Sequence, residues 1–412
     1  MNWRSLLDRA PEDTFALAAL VAPPLAVLVP YGMAVELPIL GVISALVLWH
    51  RGQLGLVPRL PLMFLAVFCL WGGLSLFWAP DPIHGAVTLL RVAALSILGC
   101  CALGMARLAR QADSQMLIRG LALGLAVAVL LLALDYSRDH ALSAVLAQLR
   151  GGKPLPEGYK SLLSRGAAMT ALLLWPVLQT AWARRSVVSA VVALAAMGIV
   201  MLGDNLAAVV AGAAGLLVLT VVLLLPRSGP RWIGVVAAAL VAIFALGAPH
   251  LPQPPDSFAT LPRLPSSAQH RLVIWNYTGQ RIAEHPLRGW GMDAARLDPG
   301  GDEEVNILER LPSGRIVHSV TGARLPLHPH NAILQWWMEL GLPGAVLLAI
   351  LLWGIARSIG GSRQARAVTT ACFVTGLVIS CISFGAWQSW WLASLWVAAA
   401  IGQAMTRQEV EP

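Results

Sequence analysis

Charge is scarce in this sequence. Asp, Glu, Lys and Arg make up 12% of its 412 residues, against 57% hydrophobic residues and a mean hydropathy of +0.70. That balance excludes an ordinary soluble domain, in which about 25% of residues are charged. Cysteine is scarce as well. Cys69, Cys100, Cys101, Cys372 and Cys381 all fall inside apolar runs, without the spacing of metal ligands, so neither a zinc site nor a structural disulfide is expected. There is no P-loop, nucleophile elbow, HExxH or Gly-rich dinucleotide fingerprint, which argues against a nucleotide cofactor or any soluble-enzyme chemistry. The formal charge of +8 is not a nucleic-acid footprint either. The arginines sit in short clusters between apolar runs, a pattern that encodes membrane topology.

Long hydrophobic runs are what the chain has in abundance. A membrane-crossing helix needs roughly 20 mostly apolar residues, and such runs occur at 15–32, 37–49, 61–78, 85–106 and 117–134, then at 162–183, 186–203, 205–226 and 231–248, and finally at 331–356, 367–385 and 388–405. The expected fold is an all-α polytopic membrane protein of about twelve transmembrane helices. One large loop separates the ninth from the tenth. Residues 1–248 would carry the first nine spans, 249–330 a loop subdomain, and 331–412 the last three. Arg4 and Arg9, Arg51 and Arg59, Arg107, Arg110 and Arg119, Arg184 and Arg185, Arg227 and Arg231, and Arg357, Arg363 and Arg366 occupy every second connection. Those connections are expected in the cytoplasm. Both termini then lie inside, and residues 135–160 and 249–330 face out. Acidic and basic residues near the N-terminus, among them Arg4, Asp8, Arg9, Glu12 and Asp13, lead straight into further spans, so the first span is expected to stay in place.

The outer loop opens with the proline-rich stretch PHLPQPPDSFATLPRLP, expected to be extended. Residues 269–284 are expected to form an amphipathic helix at the membrane surface, and the HPLRGWGMD stretch at 285–293 a turn, because Pro286, Gly289 and Gly291 disfavour a continuing helix. Histidine concentrates here. His250, His270, His285, His318, His328 and His330 all lie in the loop.

His330 and Asn331 are followed by nine mostly apolar residues and then Gly341, Leu342, Pro343 and Gly344. This H-N-x9-G-x-x-G arrangement resembles the signature of the O-antigen ligase and polymerase superfamily, bacterial membrane glycosyltransferases. Two further stretches are similar to that family: RLVIW at 271–275 with the following HPLRGWG, and Ser164-Arg165-Gly166. One departure stands at Asp204-Asn205, where many relatives carry a Ser-Arg pair. The resemblance implies an O-antigen ligase of the bacterial inner (cytoplasmic) membrane with a periplasmic active site. Its donor would be an undecaprenyl-diphosphate-linked glycan, its acceptor lipid A-core, and its surroundings membrane lipids, with no cofactor or metal.

Arginine grips phosphate oxygens bidentately and does not deprotonate, so Arg165, Arg271 and Arg288 are the candidate diphosphate ligands. His330 is the candidate general base that takes a proton from the acceptor hydroxyl. Lys160, Arg91, Asn331 and His328 are candidate supporting residues. Each has a blander alternative. His330 could be an interfacial cap or half of a metal-binding pair with His328. Arg271 and Arg288 could pair with Glu284 or Asp293, Arg165 could snorkel, and an intramembrane cation such as Arg91 needs a cavity or a partner. Asp302, Glu303 and Glu304 read as a solvated turn before they read as a metal site. Trp336, Trp337, Trp390 and Trp391 read as an interfacial belt. Gly341, Pro343 and Gly344 are expected to bend the tenth span. Two rival activities remain: a polymerase, which takes a lipid-linked repeat as acceptor, and a transporter or flippase.

Overall fold

A computed structural model describes residues 3–109, 115–149, 151, 162–225, 227–252, 264–310 and 316–405. Ten helices come first: α1 (Trp3–Leu28), α2 (Met33–His50), α3 (Arg59–Ser75), α4 (Pro82–Ala109), α5 (Gln115–Ser137), the short α6 (Ala141–Leu149), α7 (Ser164–Ala183), α8 (Val187–Leu202), α9 (Leu206–Leu224) and α10 (Gly229–Gly247). A loop segment follows, made of α11 (Ser266–Glu284), β1 (Glu304–Arg310) and β2 (Ile316–Ala323). The chain returns through α12 (Ala332–Ser358), α13 (Arg363–Ile382) and α14 (Ser389–Met405). Side-chain caps set several of these starts: Ser186, Asn205 and Ser362 each accept the N–H of the residue three positions on, opening α8, α9 and α13.

Among the described residues ten helices are long and apolar enough to cross a membrane. The expectation of about twelve spans agrees with those ten together with two shorter helices in the seventh and twelfth places, α8 with 16 residues and α14 with 17. At a rise of 1.5 Å per residue these two fall a few ångströms short of a hydrocarbon core about 30 Å thick. Pro23 and Pro24 do not interrupt the first helix; α1 runs through both.

α7 lies at the centre, buried along most of its length, with α1, α5, α8, α13 and α14 around it. Its Trp175 indole donates to Thr375 Oγ1 of α13 at 3.0 Å. A second apolar cluster joins α3, α4, α10 and α12 through Phe68, Val92, Val241, Trp336 and Leu348. The tryptophans expected as an interfacial belt are largely interior. Trp336, Trp390 and Trp391 are buried, and Trp337 donates to the Val241 carbonyl at 2.7 Å.

The loop segment folds back on the start of α12. Ile274, Tyr277 and Ile282 of α11 and Leu325 cluster with Leu334 and Met338 of α12. The expected helix at 269–284 is present and begins at Ser266. The two strands pair antiparallel, Glu304 opposite Ala323, with an irregularity after Ile307; nothing in the sequence pattern announced this hairpin. Most of the proline-rich stretch that precedes α11 lies outside the described residues.

The tenth span is broken. Gly341 has φ 62° and ψ −157° inside α12, a backbone state open to glycine and costly for other residues. The break frees carbonyls, and the 285–293 turn captures them: Trp290 N–H donates to Met338 and Gly291 N–H to Glu339, each at 2.8 Å. The Trp71 indole donates to the Leu340 carbonyl at 2.8 Å, and Leu342 N–H returns a bond to Pro286 at 2.9 Å. Contact is so close that a Cβ on Gly289 would stand 2.4 Å from the Glu339 oxygen. Pro343 sits where the second half-helix begins, a position at which its missing N–H costs least.

Candidate functional site

α13 ends at Ile382, and the last carbonyls of a helix have no partners within it. Two predicted site residues use them. Arg271 Nε donates to the Ile382 carbonyl at 2.7 Å, and its Nη1 to the Ser267 carbonyl at 2.8 Å. His330 Nδ1 lies 2.6 Å from the Ser383 carbonyl. A carbonyl can only accept, so Nδ1 carries the proton and Nε2 of the neutral ring keeps its lone pair. His330 adopts a positive φ of 54°, a state that costs a non-glycine residue on the order of 1 kcal/mol, and its N–H is held by His328 Nδ1 at 3.1 Å. Burial lowers the His330 pKa below the ordinary imidazole value; the Ser383 bond opposes that shift, and the charges of Arg271 and His270 reinforce it. Asn331, fully buried, caps α12 by accepting Leu334 N–H at 3.1 Å, which gives the His-Asn pair a helix-opening role as well.

His328 is neutral too. Burial first, then the neighbouring His330 and Arg296, bring its pKa down to about 3. Since its Nδ1 accepts from His330 N–H, its Nε2 carries the proton. That nitrogen lies 2.9 Å from the Gln388 amide, and a carboxamide oxygen there satisfies both groups. The two imidazoles are 4.4 Å apart, centroid to centroid. His328 also lines a cleft of about 250 Å³, together with Tyr31, Arg91, Asp293, Arg296 and Trp390. Arg165 stands beside this cleft: its guanidinium is 5.5 Å from the Tyr31 ring centroid and donates to the Tyr31 hydroxyl at 3.2 Å. Arg165 thus reaches the cleft wall through Tyr31, and His330 reaches it through His328.

Two acids at the cleft were not among the predicted site residues. Glu339 of α12 is fully buried and accepts three protein donors: Asp293 N–H at 2.7 Å, the Trp387 indole at 2.6 Å and the Gln335 amide at 2.9 Å. Asp293, in the left-handed conformation with φ 58°, accepts Thr88 Oγ1 at 2.8 Å and lies 3.0 Å from His84 Nε2 and 3.8 Å from Arg296 Nε. An acid inside a predicted span was the available signal, since intramembrane charge is rarely incidental. Glu339 carries it.

The remaining predicted residues are placed as follows. Arg91 lies on the cleft, with Nη2 3.3 Å from Thr88 Oγ1. Arg288 is exposed on the outer turn and is not among the residues lining the cleft. Lys160 and its neighbour Tyr159 lie outside the described residues. The suggested pairing of Arg271 or Arg288 with Glu284 or Asp293 is not what holds those acids: Glu284 pairs with Arg281, and Asp293 with His84 and Arg296. Asp204 pairs with His140 at 3.2 Å, while Asn205 donates to the Ser164 carbonyl at 2.7 Å, next to Arg165. Asp302, Glu303 and Glu304 are exposed, with Glu303 bound to Arg324 at 2.8 Å. Among the described residues no group of three His, Cys, Asp or Glu side chains is arranged to hold a metal.

Residues 190–349 match the family model described as O-antigen ligase. The match runs from α8 through the loop segment to beyond the break in α12. A Rickettsia conorii protein named "Putative polysaccharide ligase" is 27% identical over 342 residues, 80% of this chain and 76% of its own. A Rickettsia felis protein of the same name is 26% identical over 341 residues, covering 80% and 77%. In Rickettsia bellii a further one reaches 40% identity over 134 residues, 32% of this chain and 31% of its own. The matched stretch spans the broken helix and the turn that clasps it, and the Rickettsia conorii and Rickettsia felis proteins align over four-fifths of the chain, so this chain is similar to the O-antigen ligase family.

Proposed function

We propose that the protein is an O-antigen ligase that transfers a glycan from undecaprenyl diphosphate to a sugar of lipid A-core, at the periplasmic face of the inner membrane, with both termini in the cytoplasm. The family supports the coarser part, a ligase- or polymerase-type activity on a lipid-linked glycan in a multi-pass membrane protein. The observation that carries the finer part is His330. Its tautomer is set by the Ser383 carbonyl, its pKa is held low, and Arg271 stands beside it.

In this reading the acceptor hydroxyl attacks the anomeric carbon while His330 Nε2 takes its proton. The bond from that carbon to the diphosphate oxygen breaks, and the electron pair leaves with undecaprenyl diphosphate. Direct displacement inverts the anomeric centre. Arg271 and Arg165 meet the charge that grows on the leaving group, and the exposed Arg288 meets the diphosphate at the rim. The chemistry requires no metal, because fixed guanidinium groups supply the positive charge.

The test is transfer by purified protein from an undecaprenyl-diphosphate glycan to lipid A-core in the presence of a chelator, with wild type beside His330→Ala and Arg271→Ala. Capped product from wild type that both substitutions abolish is the expected result. Elongation of the lipid-linked glycan, with no capped acceptor, would make the protein a polymerase instead.

A further inference from the structure

The cleft beside His328 has a charge pattern that proton abstraction does not need. Arg91 comes from α4 and Arg296 from the 3-10 turn Ala294–Leu297, yet one buried carboxylate steers both: Asp293 takes Thr88, which meets Arg91, and lies against Arg296. Asp293 is in turn fixed through its own N–H by the buried Glu339. Of the residues that line the cleft, Arg91 and Arg296 are cationic and Asp293 is the one acid, so the lining itself is richer in guanidinium than in carboxylate. With them on the lining stand Tyr31 and Trp390, edge to face at 6.3 Å, and the Gln388 amide. Aromatic faces and amides beside a cation pair are the chemistry of an anionic saccharide. A volume of about 250 Å³ lies just below the range of drug-sized ligand sites, roughly 300 Å³ upward, and suits a single sugar unit.

We infer that this cleft is the acceptor subsite and that Arg91 and Arg296, positioned by Asp293, select an acceptor sugar bearing a phosphate or a carboxylate. The inference rests on the glycan-transfer reading above and deepens it. Position argues for the acceptor over the donor diphosphate. In a direct displacement the acceptor oxygen must reach the base, whereas the leaving diphosphate lies on the far side of the anomeric carbon. His328 forms a wall of the cleft and its ring stands 4.4 Å from that of His330, so a sugar seated there lies one imidazole away from the proposed base.

The experiment uses the full-length protein in nanodiscs, one undecaprenyl-diphosphate glycan donor, and three lipid A-core acceptors: intact, phosphatase-treated and carboxyl-reduced. Wild type is expected to show an apparent KM for the intact acceptor about tenfold below that for one of the treated forms, the worth of a hydrogen bond to a charged group. The treatment that raises KM tells phosphate from carboxylate. Arg296→Gln and Arg91→Gln, each checked for an unchanged unfolding midpoint, are expected to erase that preference by raising KM for the intact acceptor, with the donor KM unmoved. A wild type that transfers equally well to all three acceptors overturns the inference and leaves the ligase reading standing. A rise in donor KM in the two variants also overturns it, because the cleft then holds the diphosphate. No transfer to any acceptor removes both.

Discussion

The two halves of the candidate site are held in different ways. The His330–Arg271 half leans on main chain: both side chains bond carbonyls at the end of α13, and a second main-chain carbonyl holds Arg271. The cleft half leans on side chains, with Arg91 and Arg296 gathered by Asp293 and Thr88. Backbone carbonyls do not titrate and move only with the helix, so the first half fixes a tautomer and a direction. Side-chain ion pairs shift with charge and ligand, so the second half can adapt to what it binds. A base has to be preset, whereas a recognition wall gains from some give.

Removing the base gives the largest effect with which to test this contrast. His330→Gln is expected to cost roughly 10²–10⁴-fold in transfer rate, the usual worth of general acid–base catalysis, at normal protein level; a variant within a few-fold of wild type would show that the proton goes elsewhere. Glu339→Ala strikes the strut under the cleft. It strands the Asp293 N–H, the Trp387 indole and the Gln335 amide, each a loss of about 1–3 kcal/mol. A clear fall in the thermal unfolding midpoint in detergent is expected, and an unchanged midpoint would mean that the strut bears nothing. Arg271→Lys keeps the charge but loses the fork that spans the Ile382 and Ser267 carbonyls. A loss of about tenfold in rate, the worth of one charged hydrogen bond, would show that geometry counts there beyond charge, and wild-type rates would show that it does not.

The smallest effect is on pH. In the proposed reaction His330 acts as a base only when unprotonated, and its pKa is held below the ordinary value. The acid limb of the rate profile is therefore expected to lie below pH 6.5, the approximate value for a free imidazole. A limb at or above that value would contradict the buried, carbonyl-bound ring. Stability should follow the same sign. The His328 value falls to about 3 on folding, so below pH about 6.5 the unfolded chain binds a proton that the folded chain refuses. Folding stability is full above that pH and is lost as pH falls toward 3, which a series of unfolding midpoints would show.

The sequence made the spans, α11 and the 285–293 turn legible and singled out His330 as a candidate, because each has a local signature: a run of apolar residues, a helical period, a proline among glycines, or a motif. Four features had none. The β1–β2 hairpin lacked a strand alternation strong enough to read. Trp390 looked like an interfacial residue, and only packing against Phe384 and Trp391 takes it inside. Arg296 is an unremarked arginine until Asp293 aims it at the cleft. Asp293 itself read as a surface acid at the end of a turn, and its burial depends on Glu339, 46 residues away.

Composition and periodicity by themselves determined that this is a helical membrane protein with one large loop, since a bilayer admits little else for a chain so apolar. The motif at 330–344 determined where to look. Only the tertiary structure decided what the motif does physically. Gly341 breaks the span, the freed carbonyls of Met338 and Glu339 take the N–H groups of the 285–293 turn, and that clasp carries Asp293 and Arg296 to the mouth on which His328 also borders. Such long-range pairings depend on which backbone groups a helix leaves unsatisfied once it is folded, and no local pattern of residues records that.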